Sequence, residues 1–410
     1  MPKLIPSSRS LVVLGLLAQL AQPVSGDEAP LPATEGAIPQ TYSRVLDLAT
    51  LTTMEALIDN LADRRVLFVG EAHDRYEDHL NQLAIIRGLH ERGADLAIGM
   101  EMFQQPFQSA LDAYIAGEID EDEMLRRTDY FERWRFDYRL YRPILRFARE
   151  QSIPIIALNL EREITTKVGD GGLEGLSPEE RARIPTLIER DDPAYRERVK
   201  AVFDLHPKPG KESAEGKGPA EGKELTQTQD DGKAFERFLS VQLLWDEGMA
   251  ERAARFLQDY PGKRMVILAG SGHLEYGQGI PKRLQRRLPL PAVIVLNGGM
   301  RDLDPQVADY LLFPHRVDLA ATGRLGVMLD TETGGAGVAV QGFSDQSGAE
   351  AAGMKAGDRI LRIGERDIVR YADIRLALID SAPGQKLPVT VVRTGEDGQP
   401  QRLELEVELH

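Results

Sequence analysis

Apolar positions fall in two rhythms along residues 65–297. Continuous apolar runs appear at 65–70, 96–100, 153–158, 265–269 and 292–296, each short and bounded by Gly, Pro or polar residues, as in strands buried on both faces. Between them the spacing lengthens. Leu80, Leu83, Ile86 and Leu89 put one apolar stripe on a helix over Tyr76–Arg92, residues 107–150 read as helices, and helical patterns run to about Phe203 and again over Phe235–Asp259. Strands alternating with helices predict an α/β fold, a mostly parallel sheet flanked by helices on both faces. From about Thr322 the chain changes to short strands and many glycines, with one helix near Ala372–Ser381. This predicts a small C-terminal β-rich domain.

Three stretches fit neither rhythm. Residues 1–26 carry Lys3 and Arg9, then the run Leu11–Leu17, then Val24-Ser25-Gly26; a charged start, an apolar core and small residues predict a signal peptide cleaved after Gly26. Residues 27–43 are rich in Pro, Ala and Glu and predict a disordered leader. Residues 206–233 hold Lys, Glu, Gly and Pro with few apolar side chains, so a disordered insert is expected there. The 410 residues include no cysteine, which excludes disulfides, a thiolate ligand or nucleophile, and a lipid-modified N-terminal cysteine. A formal charge of −15 argues against nucleic acid as a partner.

The chemistry gathers at strand ends. Val66–Val69 runs into Gly70-Glu71-Ala72-His73, Met265–Ala269 into Gly270-Ser271-Gly272-His273, and Leu96–Met100 into Glu101. Ligands bind outside the carboxyl ends of strands in open α/β sheets. A single Gly-x-x-His is more often structural; two of them beside Glu101 point to a ligand or metal site. His73, Glu101 and His273 would suit a divalent first-row metal, with Glu71 as a general base. His79 faces either the same crevice or solvent. His90, His206, His315 and His410 read as surface residues. Residues 131–142 combine Trp134, Tyr138 and Tyr141 with Arg135, Arg139 and Arg142. The aromatic spacing suits a core face, whereas the arginines suit ligand carboxylates, and a phenolate beside arginines suits ferric iron.

Residues 44–318 resemble the ChaN family, the haem-binding-uptake members of the Tiki and TraB superfamily. The resemblance lies in Gly70-Glu71-Ala72-His73-Asp74 with His79 and Gln82, Gly99-Met100-Glu101-Met102, Tyr138, Tyr141-Arg142-Pro143, Ala157-Leu158-Asn159 and Arg162-Glu163-Ile164. It continues in Gln242-Leu243-Leu244-Trp245-Asp246, Met249-Ala250 and Gly270-Ser271-Gly272-His273. Residues 319–410 resemble a PDZ domain, through Leu325-Gly326-Val327-Met328 at the peptide-carboxylate loop and Ala352–Leu361. The resemblance implies an α/β domain linked to haem and iron acquisition, and the signal peptide implies a periplasmic protein. Haem would be held by Tyr138 or Tyr141 as axial ligand, by Arg142 and Arg162 at the propionates, and by His73, His79 and His273 at the rim. The PDZ domain would bind a protein C-terminus or an internal peptide. Distant superfamily members are metal-dependent proteases with paired Gly-x-x-His motifs and a Glu, which would put metal on His73, Glu101 and His273 and a base at Glu71. A non-catalytic scaffold and a homodimer are also compatible. The chain departs from the family in lacking a cysteine anchor, in carrying Asp78-His79 where many members have a His pair, and in the insert and the PDZ domain.

Overall fold

The computed structural model describes residues 50–205, 223–298, 304–331, 334–395 and 397–410. The expected signal peptide (1–26), leader (27–43) and first part of the insert (206–222) lie outside the described residues. Among the described residues no helix is long and apolar enough to cross a membrane.

Residues up to Ser109 together with Ile144–Arg316 form one compact unit. Its sheet has six strands: β1 (Val66–Glu71), β2 (Leu96–Gln104), β3 (Ile155–Asn159), β4 (Arg264–Gly270), β5 (Ala292–Asn297) and β6 (Tyr310–Leu312). They lie in the order β3-β2-β4-β1-β5-β6, every pair parallel. All six residues of β1 are buried, which is why its side chains are apolar without alternation. Val66 and Phe68 pack on Met249, Ala250 and Ala253 of the helix Lys223–Asp259. Leu67 and Val69 point to the other face and are equally buried. The three-residue β6 was not foreseen.

One expectation is corrected here. Residues 223–233 were expected within the disordered insert, yet they open the helix Lys223–Asp259. Lys, Glu and Gln lose little in a helix, and a helix already nucleated by the buried turns beyond Phe235 can extend through polar residues at one hydrogen bond per residue.

Val317–His410 forms a second compact unit, and residues 110–143 belong to it. A sheet of β7 (Val327–Asp330), β8 (Val338–Phe343), β9 (Arg359–Ile363), β11 (Lys386–Thr394) and β12 (Pro400–Glu408) runs in the order β12-β11-β9-β8-β7, with β10 (Arg366–Asp367) on β9. Its core gathers Leu325, Val340, Ile360, Val389, Val391 and Val407 with Ile374 of the helix Tyr371–Leu378. Against that helix the segment 110–143 lays two short helices, Glu121–Arg127 and Tyr130–Arg133. Arg126 pairs with the buried Asp373 at 2.8 Å. Arg370 donates to Asp129 at 2.6 Å and to the Arg126 carbonyl at 2.8 Å. Arg366 pairs with Asp122 and Arg142 with Asp380, while Arg375 lies over the Phe131 ring at 5.4 Å. The expected boundary near 318 is thus the start of only the larger of this unit's two pieces.

Candidate functional site

The register of the sheet brings the two Gly-x-x-His stretches together. β1 and β4 are neighbours with Glu71 opposite Gly270, and β2 lies on the other side of β4 with Met100 opposite Leu268. Glu71 and Gly270 therefore end adjacent parallel strands, Glu101 follows the last β2–β4 pair at the same edge, and the three converge.

Two histidines are each held by a buried carboxylate. His73 donates Nδ1–H to Glu71 Oε1 at 2.9 Å. His273 donates Nδ1–H to Asp246 Oδ1 at 2.6 Å, and Tyr195 donates its hydroxyl to Asp246 Oδ2 at 2.6 Å. Glu101 joins them: Oε2 accepts from Gly270 N at 2.7 Å and Oε1 faces His273 Nε2 at 3.5 Å. Gly270 has to lack a side chain, because a Cβ there would stand 2.8 Å from His73 Cε1 and 3.0 Å from its Nε2. All six side chains are almost fully buried.

The electrostatics follow from the pairing. Burial pushes the Glu71 carboxyl up, but the charge of His79 and the hydrogen bonds from His73 and His79 outweigh it, holding Glu71 well below the usual carboxylate range. Burial likewise opposes the charged forms of Asp246 and His273. Their mutual attraction wins, so that Asp246 lies below its ordinary value and His273 above its own. Asp78 differs. Its Oδ2 accepts from Ala72 N at 2.8 Å while Oδ1 has no partner, and burial pushes its carboxyl up to about 6.

Several expected roles take a different form. Glu71 spends Oε2 on Gln82 Nε2 at 2.7 Å and faces His79 Nδ1 at 3.2 Å besides holding His73, so in this geometry it orients histidines. His79 sits inside, with Nε2 on the His73 carbonyl at 3.2 Å. Burial lowers its affinity for a proton, but Glu71 raises it further, and the result is a raised value. It fixes the His73 loop. The metal set His73, Glu101 and His273 does come together, yet among the described residues no group of three His, Asp or Glu side chains is arranged to hold an ion. Glu101 divides its oxygens between Gly270 N and His273.

Tyr138, Tyr141 and Arg142 belong to the second unit. Tyr138 donates to Glu121 Oε2 at 3.2 Å, and burial together with Glu121 raises its hydroxyl well above the ordinary value. The Tyr141 hydroxyl accepts from Trp134 Nε1 at 3.1 Å, and Arg142 pairs with Glu121 at 2.8 Å. Arg162 opens the helix Arg162–Gly171, its N–H donating to Gln104 Oε1 at 3.2 Å. Asp246 and Tyr195 were missed as site residues. Asp246 and Glu247, charged within the apolar stretch Leu243–Ala250 of a helix, were the available signal. In the second unit Gly326 takes the left-handed conformation (φ 76°), the Leu325 carbonyl accepts from Ala349 N, and Val327 and Met328 open β7, the terminal strand of its sheet.

Comparison with known proteins gives two matches along the chain, and the first runs through residues 110–143. The family model described as haem-binding uptake, Tiki superfamily, ChaN matches residues 57–284, more than half of the chain, and a PDZ model matches 323–407. A curated relative, the chloroplastic protein RETICULATA-RELATED 5 of Arabidopsis thaliana, is 24% identical over 249 residues, which cover 58% of this chain and 31% of that protein. The chain therefore spans less than a third of that relative's length. Among solved structures, ChaN of Campylobacter jejuni, described with cofacial haem binding, is similar at 19% identity and TM-score 0.48, covering 64% of this chain and 92% of its own. The HtrA3 PDZ domain with a phage-derived ligand is similar at 21% identity and TM-score 0.18, covering 22% of this chain and 85% of its own. The chain belongs to the ChaN haem-binding-uptake family of the Tiki superfamily and carries a PDZ domain after it.

Proposed function

We propose that this protein is exported to the periplasm, binds haem at the strand-edge site in the service of iron acquisition, and holds a protein partner by its PDZ domain. The observation that supports this reading is the span of the family match, which includes every strand end carrying Glu71, His73, Glu101 and His273. The donors fit haem in a particular way. An imidazole whose Nδ1–H is held by a carboxylate is fixed in tautomer and orientation, as metal-ligating histidines are, and His73 on Glu71 has that form. Tyr138 is a buried neutral phenol paired with Glu121, and giving up its proton there would put two like charges together. His73 would hold the iron. When bound, haem would supply an iron centre that takes a nitrogen base; the chain supplies the oriented imidazole and the buried surroundings.

Purified from the periplasm, where intact mass should place its start at Asp27, the protein should titrate with haem to a Soret band at a single saturating ratio. His73→Ala should weaken that binding by about tenfold or more, the usual penalty for losing a metal ligand or its support. Tyr138→Phe and Tyr141→Phe should leave it unchanged. The reverse pattern would return the axial role to tyrosine, and no Soret band in any variant would end the haem reading.

For the PDZ domain, the outer edge of β7 takes a peptide strand and the amides around Gly326 and Val327 take its carboxylate, since exposed sheet edges bind peptides by strand addition. Met328, 54% exposed, offers apolar contact there. A peptide selected against the protein should lose most of its affinity when its C-terminus is amidated; equal affinities would show that the carboxylate loop takes no part.

A further inference from the structure

The loop carrying His273 is held from behind by an arginine that no sequence motif marks. Arg198, on the helix Pro193–Leu205, donates from Nη1 to the Gly272 carbonyl at 2.7 Å and from Nε to Gln278 Oε1 at 3.1 Å. Its guanidinium lies over the Tyr195 ring at 5.4 Å, and Tyr195 is the residue that buttresses Asp246 and through it His273. The side chain is 11% exposed. Its Nη2 is buried and has no hydrogen-bond partner.

That combination is unusual. Buried guanidinium N–H groups are almost always satisfied, and each exception in a native structure calls for an explanation such as a ligand or a catalytic role. The nearest carboxylate, Glu275, stands 3.9 Å from Nη1, beyond hydrogen-bond reach and on the other nitrogen. Other arginines of the chain are engaged elsewhere. Arg283, over the same Tyr195 ring at 4.5 Å, faces the buried Glu247 at 3.4 Å and donates to two carbonyls. Arg139 is forked onto Asp137, and Arg142 is divided between Glu121 and Asp380. Of these four, Arg142 and Arg283 also hold a buried Nε without a hydrogen-bond partner, but only Arg198 donates to the Gly272 carbonyl of the histidine loop. A guanidinium fixed at two of its nitrogens is pre-organised, so the remaining N–H can meet an anionic oxygen without further ordering.

We infer that Arg198 is an anion anchor of the His73/His273 site, taking a carboxylate oxygen of the ligand on Nη2. Resting on the haem reading above, the carboxylate is a haem propionate; the same chemistry would take a free carboxylate or phosphate. The role is specific to one end of the ligand. Arg198 orients the bound molecule and does not touch the iron.

Propionates can be removed chemically while the porphyrin stays intact, which makes the test direct. Haem and haem dimethyl ester should be titrated into wild type, Arg198→Lys and Arg198→Gln. Wild type should prefer haem to its ester by about 10- to 100-fold, the value of a charge-assisted hydrogen bond. Arg198→Gln should lose that preference by weakening haem alone, and Arg198→Lys should recover part of it. Equal weakening of haem and ester in Arg198→Gln would show that the residue only supports the His273 loop, and unchanged affinities would show that it does nothing; either result overturns the inference. A separate arm covers failure of the haem reading. If no variant binds haem or ester, inorganic phosphate should still raise the thermal midpoint of wild type and not of Arg198→Gln. Absence of that difference would remove the anion site altogether.

Discussion

Alanine at position 246 should destabilise the protein by about 3–5 kcal/mol, the usual result of removing one partner from a buried ion pair. Asp246 is fully buried between His273 Nδ1 and the Tyr195 hydroxyl, each at 2.6 Å. Truncation leaves a buried imidazole and a buried phenol without their acceptor. Asparagine keeps an acceptor and removes the charge, so it should be milder. The pH dependence has a definite sign. Asp246 lies below its unfolded value of 3.8, so its contribution is complete above that value and is lost as pH falls through the folded value. His273 lies above its unfolded value of 6.5, so its contribution is complete below that and is lost as pH rises through the folded value. The gap between wild type and Asp246→Ala in urea denaturation should therefore be widest between pH 3.8 and 6.5. For contrast, Glu236→Ala breaks the half-exposed pair with Arg196 and should change stability by under about 1 kcal/mol. A loss at Asp246→Ala no larger than that one would mean the dyad is not a structural keystone of the site.

Gly279→Ala should be nearly as damaging without touching a charged group. A Cβ at 279 would stand 2.1 Å from the His273 carbonyl oxygen, 2.7 Å from its carbon and 3.1 Å from Asp246 Oδ2. Backbone cannot yield as a side-chain tip can, so the loop holding His273 must move. Overpacking of this kind costs about 1–3 kcal/mol or more, and the displaced loop should also lose its ligand. Gly262→Ala is the control, since a Cβ there meets nothing within 4 Å, and it should fall within about 0.5 kcal/mol of wild type. Denaturation midpoints and ligand titration on the two variants decide the matter. If they behaved alike, the tight approach of residue 279 to the histidine loop would be no constraint.

The strands that carry the site were legible because burial on both faces writes itself as an uninterrupted apolar run, as in Val66–Val69 and Met265–Ala269. Their ends were legible because Glu, His and Gly break those runs abruptly. What joined them was not. The order β2-β4-β1-β5 rests on pairings between residues some two hundred positions apart, and nothing local specifies which parallel strand lies beside which. The support of His273 stayed hidden for the same reason: Asp246 comes from one helix and Tyr195 from another, and the charge of Asp246 in an apolar stretch does not say which histidine it meets. The double role of Glu71 was also beyond reach, since a strand period places His73 beside it but does not say that His79, one helical turn on, folds back to the same carboxylate. Residues 131–142 were read as core or ligand contacts; their arginines and acids mostly satisfy one another or the PDZ domain, a choice fixed only by the three-dimensional neighbours.

The joining of residues 110–143 to the PDZ domain sets an order of events during synthesis. Asp129 and Arg370 are 241 residues apart, so at ~5–20 residues per second the ribosome needs roughly 12–48 s after making the first to make the second. Through that interval Phe131, Asp122, Asp129 and Arg126 have no partners from the later segment, while the strands between them are emerging and can begin to pair. The first sheet must therefore be assembled around an excursion whose own packing is deferred. This gives a chaperone or a protease a defined period in which to act on it, and it makes the half-made chain vulnerable at a place where the finished protein is well packed.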